Sequence, residues 1–150
     1  MSKINIGLIK KLRAETGVAI IRIREVLKEV KDDEKKALAV LKKEALEKAE
    51  RREGRETSQG KIFVYAHHTG KVVGLVELLC ETDFVAKNEL FEALGRDLAM
   101  QVASMGEKNL EKQEFIKDSS KKVSDLIREL IAKTGENVRL GRVFRVELGN

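Results

Sequence analysis

Residues 61–80 read KIFVYAHHTGKVVGLVELLC, and their composition decides the fold class. Ile62 to His67 is rich in β-branched and aromatic side chains, and Val72 to Cys80 is apolar on both faces except at Glu77. Such runs suit pleated strands better than helices. His68-Thr69-Gly70-Lys71 supplies a turn between them. The stretch therefore predicts a β-hairpin whose second strand, apolar on both sides, is central in a small sheet.

Towards the C-terminus the hydrophobic period changes to that of a helix. Leu90, Phe91, Leu94, Leu98 and Val102 form a stripe that starts after Asn88 and ends near Gly106. Val123, Leu126, Ile127, Leu130 and Ile131 form another, stopped by Gly135. Alternation then returns: Val138, Leu140, Phe144, Val146 and Leu148 point one way, and Arg139, Arg145 and Glu147 the other. Arg142 breaks this pattern, which places it near an edge. Residues 61–150 thus read as an α+β domain, with a small antiparallel β-sheet (hairpin plus C-terminal strand) packed on helices.

Towards the N-terminus every signal is helical. Asn5 caps a helix carrying Leu8, Ile9 and Leu12, and Gly17 ends it. Ile20, Ile23, Val26, Leu27 and Val30 give a second helix. Asp32, Asp33 and Glu34 place negative charge at the positive end of a third, whose Ala37, Leu38, Leu41 and Ala45 face inward. Residues 1–45 are predicted as a three-helix domain. Beyond Ala45 the apolar stripe fades into alternating charges up to Gly60, so residues 46–60 read as a charged helical linker held by i,i+4 pairs.

Composition bounds the function. The chain has 150 residues, 42% of them apolar and 37% charged, and no run that matches a bilayer or a signal segment. A cytoplasmic protein without membrane contact is expected. The single cysteine, Cys80, cannot form an internal disulfide and fits a reducing compartment. The net charge of +5 is uneven: residues 1–60 hold 16 basic and 11 acidic groups, and residues 61–150 hold 14 of each. Aromatics total 4%, and none falls in the first 60 residues. That is a poor endowment for an RNA reader, which needs stacking rings beside its basic groove. The basic excess of the N-terminal part leaves a ribosome- or RNA-associated basic adaptor as an alternative reading.

Catalytic groups are scarce. Gly60-Lys61 and Gly70-Lys71 lack the upstream glycine and the hydroxyl of a phosphate loop, so no direct nucleotide binding and no cofactor are expected. His67 and His68 are neighbours at a strand end, where their side chains should leave on opposite faces and share no metal. Cys80 has no activating base beside it. The segment Glu81-Thr82-Asp83-Phe84-Val85-Ala86-Lys87-Asn88 stands apart, because it puts an aromatic residue beside an acid in a connection between strand and helix. Two states fit: Phe84 tucked under a helix that Thr82 or Asp83 caps, or Phe84 exposed as an anchor for a partner's pocket.

The run Thr82-Asp83-Phe84-Val85-Ala86-Lys87-Asn88 resembles the signature of the elongation factor Ts family. Further blocks follow the family order: Leu8-Ile9-Lys10-Lys11-Leu12-Arg13 with Thr16-Gly17, Gly74-Leu75-Val76-Glu77, Phe115-Ile116-Lys117-Asp118, and Ile131-Ala132-Lys133-Thr134-Gly135-Glu136-Asn137 with Arg142. The resemblance implies a ubiquitin-associated-like three-helix domain followed by an α+β core. It also implies a guanine-nucleotide exchange factor, not an enzyme, that binds the translational GTPase elongation factor Tu and promotes GDP release by disturbing its Mg²⁺ and phosphate site. Asp83 and Phe84, with Thr82 and Val85, match the element that intrudes beside the partner's nucleotide. Ile20 and Ile21, with Leu12, match the N-terminal docking site, and Tyr65 and His67 match a hairpin contact.

Three residues depart from the family pattern: Ala19 for a common glycine, Arg22 for a common acid and Glu114 for a common proline. The segment between Gly106 and Phe115 is short compared with long relatives, which insert a second core half there. Short members pair two subunits instead, so a homodimer is expected.

Overall fold

The computed structural model describes residues 5–150. Three helices come first: α1 (Ile6–Thr16), α2 (Ile20–Glu29) and α3 (Glu34–Arg52). Their boundaries follow local chemistry. The Asn5 carboxamide accepts from the Leu8 N–H at 3.1 Å, Gly17 closes α1 in the left-handed region at φ 69°, and the Asp33 carboxylate accepts from the Lys36 N–H at 3.1 Å. Ile9, Leu12, Ile23, Val26, Leu27, Ala37 and Leu41 pack together as the first core.

Arg22 is explained by its neighbours. Its guanidinium donates to Glu44 at 2.6 Å, to Glu25 at 2.9 Å and to Glu29 at 3.3 Å, bracing α2 against α3. The hydrogen bond from Arg22 holds the Glu44 carboxyl below the usual carboxylate range.

The expected boundary at residue 45 falls within α3, which runs through it without a break. Ala37 and Leu41 of this helix belong to the first core, while Ala49, fully buried, belongs to the second. Residues 46–60 are therefore not a solvated linker along their whole length. Thr57 is buried and accepts a hydrogen bond from Arg139 at 2.6 Å, and the first strand already begins at Gln59. The charge pattern hid this because a single alanine is enough to let two helices touch.

The second unit contains β1 (Gln59–Ala66), β2 (Val72–Cys80), the one-turn helix α4 (Asp83–Ala86), α5 (Glu89–Met105), a 3₁₀ turn at Leu110–Lys112, β3 (Glu114–Phe115), β4 (Asp118–Lys122), α6 (Val123–Thr134) and β5 (Val138–Glu147). The main sheet is antiparallel in the order β1-β2-β5, so β2 is central as its two apolar faces require. Phe63, Val76, Leu78 and Cys80 face α5 and α6, whose Phe91, Leu98, Val102, Val123 and Ile131 complete the core.

The small β3–β4 hairpin was not foreseen. It is fastened by Gln101, a fully buried residue on α5, whose amide donates to the Glu114 carbonyl at 2.9 Å and accepts from the Ile116 N–H at 2.9 Å.

The simple alternation expected of the last strand is also corrected. Val76 pairs with Val143 but Leu78 with Leu140, so Glu77 alone faces both Gly141 and Arg142. This is a β-bulge, and one extra residue inverts every side chain after it. Val138 and Leu140 face the helices as expected, but beyond the bulge Val143 and Arg145 do so, and Phe144 and Val146 turn to the other side. Glu77 makes the bulge specific. Its carboxylate accepts from Arg142 at 2.9 Å and lies where a Cβ on residue 141 would be, 2.2 Å away.

The inversion leaves one face of the sheet both apolar and uncovered. Ile62 and Val64 on β1 are 59% exposed, and Phe144 and Val146 on β5 are 53% and 65% exposed.

Candidate functional site

The segment after β2 is built to push two side chains into solvent. Thr82 is extended (φ −123°, ψ 159°) and its hydroxyl oxygen accepts from the Val85 N–H at 3.4 Å, capping α4. At the other end the Asn88 N–H donates to the Val85 carbonyl at 2.9 Å, while the Asn88 side chain caps α5 through the Leu90 N–H at 2.8 Å. A single turn advances about 100° per residue, so neighbouring pairs face opposite ways. Val85 and Ala86 are buried in the core, and Asp83 and Phe84 point out.

Phe84 is 81% exposed, the largest exposure among the described large apolar side chains. Of the two states left open by the sequence, the tucked one is excluded and the exposed one observed. Thr82, not Asp83, is the cap. Asp83 keeps a loose ion pair with Lys87 at 3.6 Å. Val85 anchors the turn from inside and offers no surface.

A group from the far end of the chain completes the site. The Glu136 carboxylate accepts from the Thr82 N–H at 2.9 Å and from the Thr82 hydroxyl at 2.7 Å. Next to it the Asn137 N–H donates to Glu81 at 2.9 Å, and the Asn137 carboxamide donates to the Glu53 and Arg55 carbonyls at 3.1 and 2.8 Å. Periodicity gives no sign of this, although Glu136 and Asn137 fall within the block at residues 131–137 that carries the family resemblance.

Cys80 lies directly beneath the turn. It is fully buried, and its thiol donates to the Thr82 carbonyl at 3.1 Å. Burial pushes the thiol up to about 11. Iodoacetamide at pH 8 should therefore label the folded protein far more slowly than the urea-unfolded chain, as read by mass spectrometry. Equal labelling rates would show that the turn opens readily.

The other candidates are elsewhere. Ile20 and Ile21 are exposed by 37% and 73% on α2 and form an apolar spot on the N-terminal bundle. Leu12 is only 1% exposed, so it supports that bundle from within and is corrected as a docking surface. Tyr65 packs partly against the second core, and His67 accepts or donates at Thr69 over 2.9 Å. His67 and His68 do not leave on opposite faces, because β1 ends at Ala66 and their rings pack against each other, tilted by 37° with centroids 4.2 Å apart. The turn they occupy is at the opposite end of β2 from Phe84, roughly 25 Å away at about 3.3 Å per residue. One partner touching both must be a domain-sized protein.

Among the described residues no group of three or more potential ligands could hold a metal ion, and no helix is long and apolar enough to cross a membrane. A cleft of about 600 Å³ between α1, α3 and α6 is lined by alternating charges such as Glu15, Lys42, Asp125 and Arg128, and includes neither Asp83 nor Phe84.

The family model described as Elongation factor TS matches residues 81–150, from the base of the Phe84 turn onwards. Elongation factor Ts of Leptospira biflexa is 36% identical, over 94% of this chain and 96% of the relative. Elongation factor Ts of Thermotoga maritima is 37% identical, over 98% and 97%. That of Maridesulfovibrio salexigens is 34% identical, over 94% and 92%. These alignments run over 189, 193 and 189 positions, more than the 150 residues present, so the relatives carry stretches that face a gap here.

Proposed function

Because the chain belongs to the elongation factor Ts family, we propose that it is a guanine-nucleotide exchange factor that binds elongation factor Tu and promotes release of its GDP. The observation that carries this reading is Phe84, held out in solvent beside Asp83 on a turn fastened from below and from the side. An exposed phenyl ring on a rigid base is what an apolar cleft between two helices can capture with little loss of conformational entropy. The adjacent carboxylate would then repel the phosphates and perturb the surroundings of Mg²⁺. Loss of that metal bridge and of the backbone N–H contacts weakens the hold on the phosphates.

The thermodynamics are those of linkage. A factor that binds the nucleotide-free GTPase more tightly than the loaded one must weaken nucleotide binding by the same ratio. A coupling of about 4 kcal/mol corresponds to roughly a thousandfold. No covalent bond is made or broken, so the protein is an exchange factor in the cytoplasm and not an enzyme.

Ile20 and Ile21 supply N-terminal docking, and Tyr65 with His67 a second contact at the far end of the sheet. The basic RNA adaptor is not favoured: Arg22, in the most basic stretch of the chain, is already engaged by three carboxylates.

The uncovered sheet face supports a homodimer. Ile62, Val64, Phe144 and Val146 form an apolar patch of the kind that monomers rarely leave in water, and two sheets can pack face to face about 10 Å apart. A two-fold axis would make the patch self-complementary. Light scattering at micromolar concentration should give twice the monomer mass, and Val64→Glu with Phe144→Glu should halve it. A monomeric mass for the unmodified protein would sink the dimer.

The exchange role is tested by mixing the protein with elongation factor Tu carrying fluorescent GDP. Release should accelerate with protein concentration at ordinary salt. Release that stays at its spontaneous rate, together with salt-sensitive RNA binding, would favour the adaptor.

A further inference from the structure

We propose that Glu136 is a positioning residue for the Phe84 turn, acting through Thr82; the inference rests on the exchange reading above. A four-residue helix cannot hold itself, because forming its first turn fixes several dihedrals for one or two hydrogen bonds. Its shape must come from outside, and Glu136 supplies two constraints at once.

The first constraint is on the backbone. Glu136 Oε1 takes the Thr82 N–H at 2.9 Å and so holds Thr82 in the extended state that a helix cap needs. The second is on the hydroxyl. Oε2 takes its proton at 2.7 Å, which leaves the Thr82 oxygen free to accept from the Val85 N–H. Without the carboxylate the hydroxyl can rotate, and the cap becomes one of several states. The chain of bonds from Glu136 to Thr82 to Val85 therefore fixes where Asp83 and Phe84 point.

Glu136 is itself well placed to do this. Gly135 ends α6 in the left-handed region at φ 76°. Thr134 donates to the Leu130 carbonyl at 2.8 Å and accepts from the Glu136 N–H at 3.4 Å. Asn137 ties the same turn to Glu81 and to the end of α3. The carboxylate is thus delivered by a turn fastened at three points, and its hydrogen bonds go to Thr82, not to Asp83 or Phe84. Charge-assisted bonds of this length are among the stronger ones available to a partly buried group.

The test uses the full chain and elongation factor Tu loaded with fluorescent GDP. Release is followed against exchange-factor concentration for the unmodified protein, Phe84→Ala, Glu136→Ala, Glu136→Gln, Thr82→Val and the Thr82→Val/Glu136→Ala pair. Glu136→Ala should lower the maximal release rate about tenfold with less than a twofold change in half-saturating concentration. Glu136→Gln, which keeps an acceptor, should recover part of it, and the double variant should be no slower than the slower single one. A purely structural role would reduce the active fraction without that split or that non-additivity.

Amide hydrogen exchange at Val85 supplies a readout independent of the partner, and Glu136→Ala and Glu136→Gln should both reduce its protection. If Phe84→Ala is slow but Glu136→Ala releases GDP within twofold of the unmodified protein, or the Val85 amide stays protected, the proposal is overturned. If the unmodified protein releases no GDP, the exchange reading fails, and the Val85 amide alone decides whether Glu136 positions the turn.

Discussion

Phe84→Ala is expected to slow stimulated GDP release by about 30- to 1,000-fold, the range of a hot-spot aromatic worth roughly 2 to 4 kcal/mol. The same substitution should leave stability almost untouched. Phe84 is 81% exposed and outside both cores, so its removal takes little apolar surface out of the folded state. This separation of effects is uncommon for a phenylalanine, since large aromatic side chains are usually part of what folds the protein. It follows from the geometry of a single turn, in which Val85 and Ala86 do the anchoring and Phe84 does none. Stopped-flow release of fluorescent GDP at saturating factor, beside a thermal melt, measures both. Release as fast as that of the unmodified protein would remove Phe84 from the site.

Features set by near neighbours were legible in the sequence, and features set by distant ones were not. The cap at Asn5 and the left-handed glycines 17 and 135 need only a few adjacent residues, and all stand where their chemistry places them. The central position of β2 was legible too, because two apolar faces demand two covers. The bulge opposite Glu77 was not, since alternation cannot register an inserted residue whose partner is 65 positions away. Arg142 disturbs the pattern; it lies on the edge strand β5, as its place in the alternation suggests, and it also marks an inversion that alternation alone does not show. Ala49 was missed for a similar reason: a small residue in a charged helix signals burial only when the opposing helix is known.

The candidate site divides along the same line. Asp83 and Phe84 could be named from their local context and from resemblance, but whether the ring was tucked or exposed depended on how much room the core left beneath Thr82. The Glu136 clamp spans 54 positions and leaves no periodic trace.

Gly74→Val should damage the second core, lowering stability by about 3 kcal/mol, the upper part of the overpacking range. Gly74 has no need of glycine's backbone freedom; the space above it is what matters. A Cβ there would lie 2.2 Å from the Ala99 carbonyl oxygen and 2.7 Å from the Ala103 nitrogen, both backbone atoms of α5. No rotamer change can relieve such a clash, so the whole helix has to lift from β2. Lifting α5 also strains the Arg145 bond to the Ala103 carbonyl at 3.0 Å and opens the contacts of Leu98 and Val102. Because Asn88 joins α5 directly to the Phe84 turn, exchange should weaken along with stability.

Gly70→Ala is the informative control. It has a positive φ of 69° and nothing within 4 Å of its added carbon, so it should cost only about 1 kcal/mol of conformational strain. For a chain of this size, thermal denaturation should place Gly74→Val about 10 °C below the unmodified protein, and Gly70→Ala only a few degrees below. Equal shifts would mean that backbone conformation, and not the close seating of α5 on the central strand, is what these glycines protect.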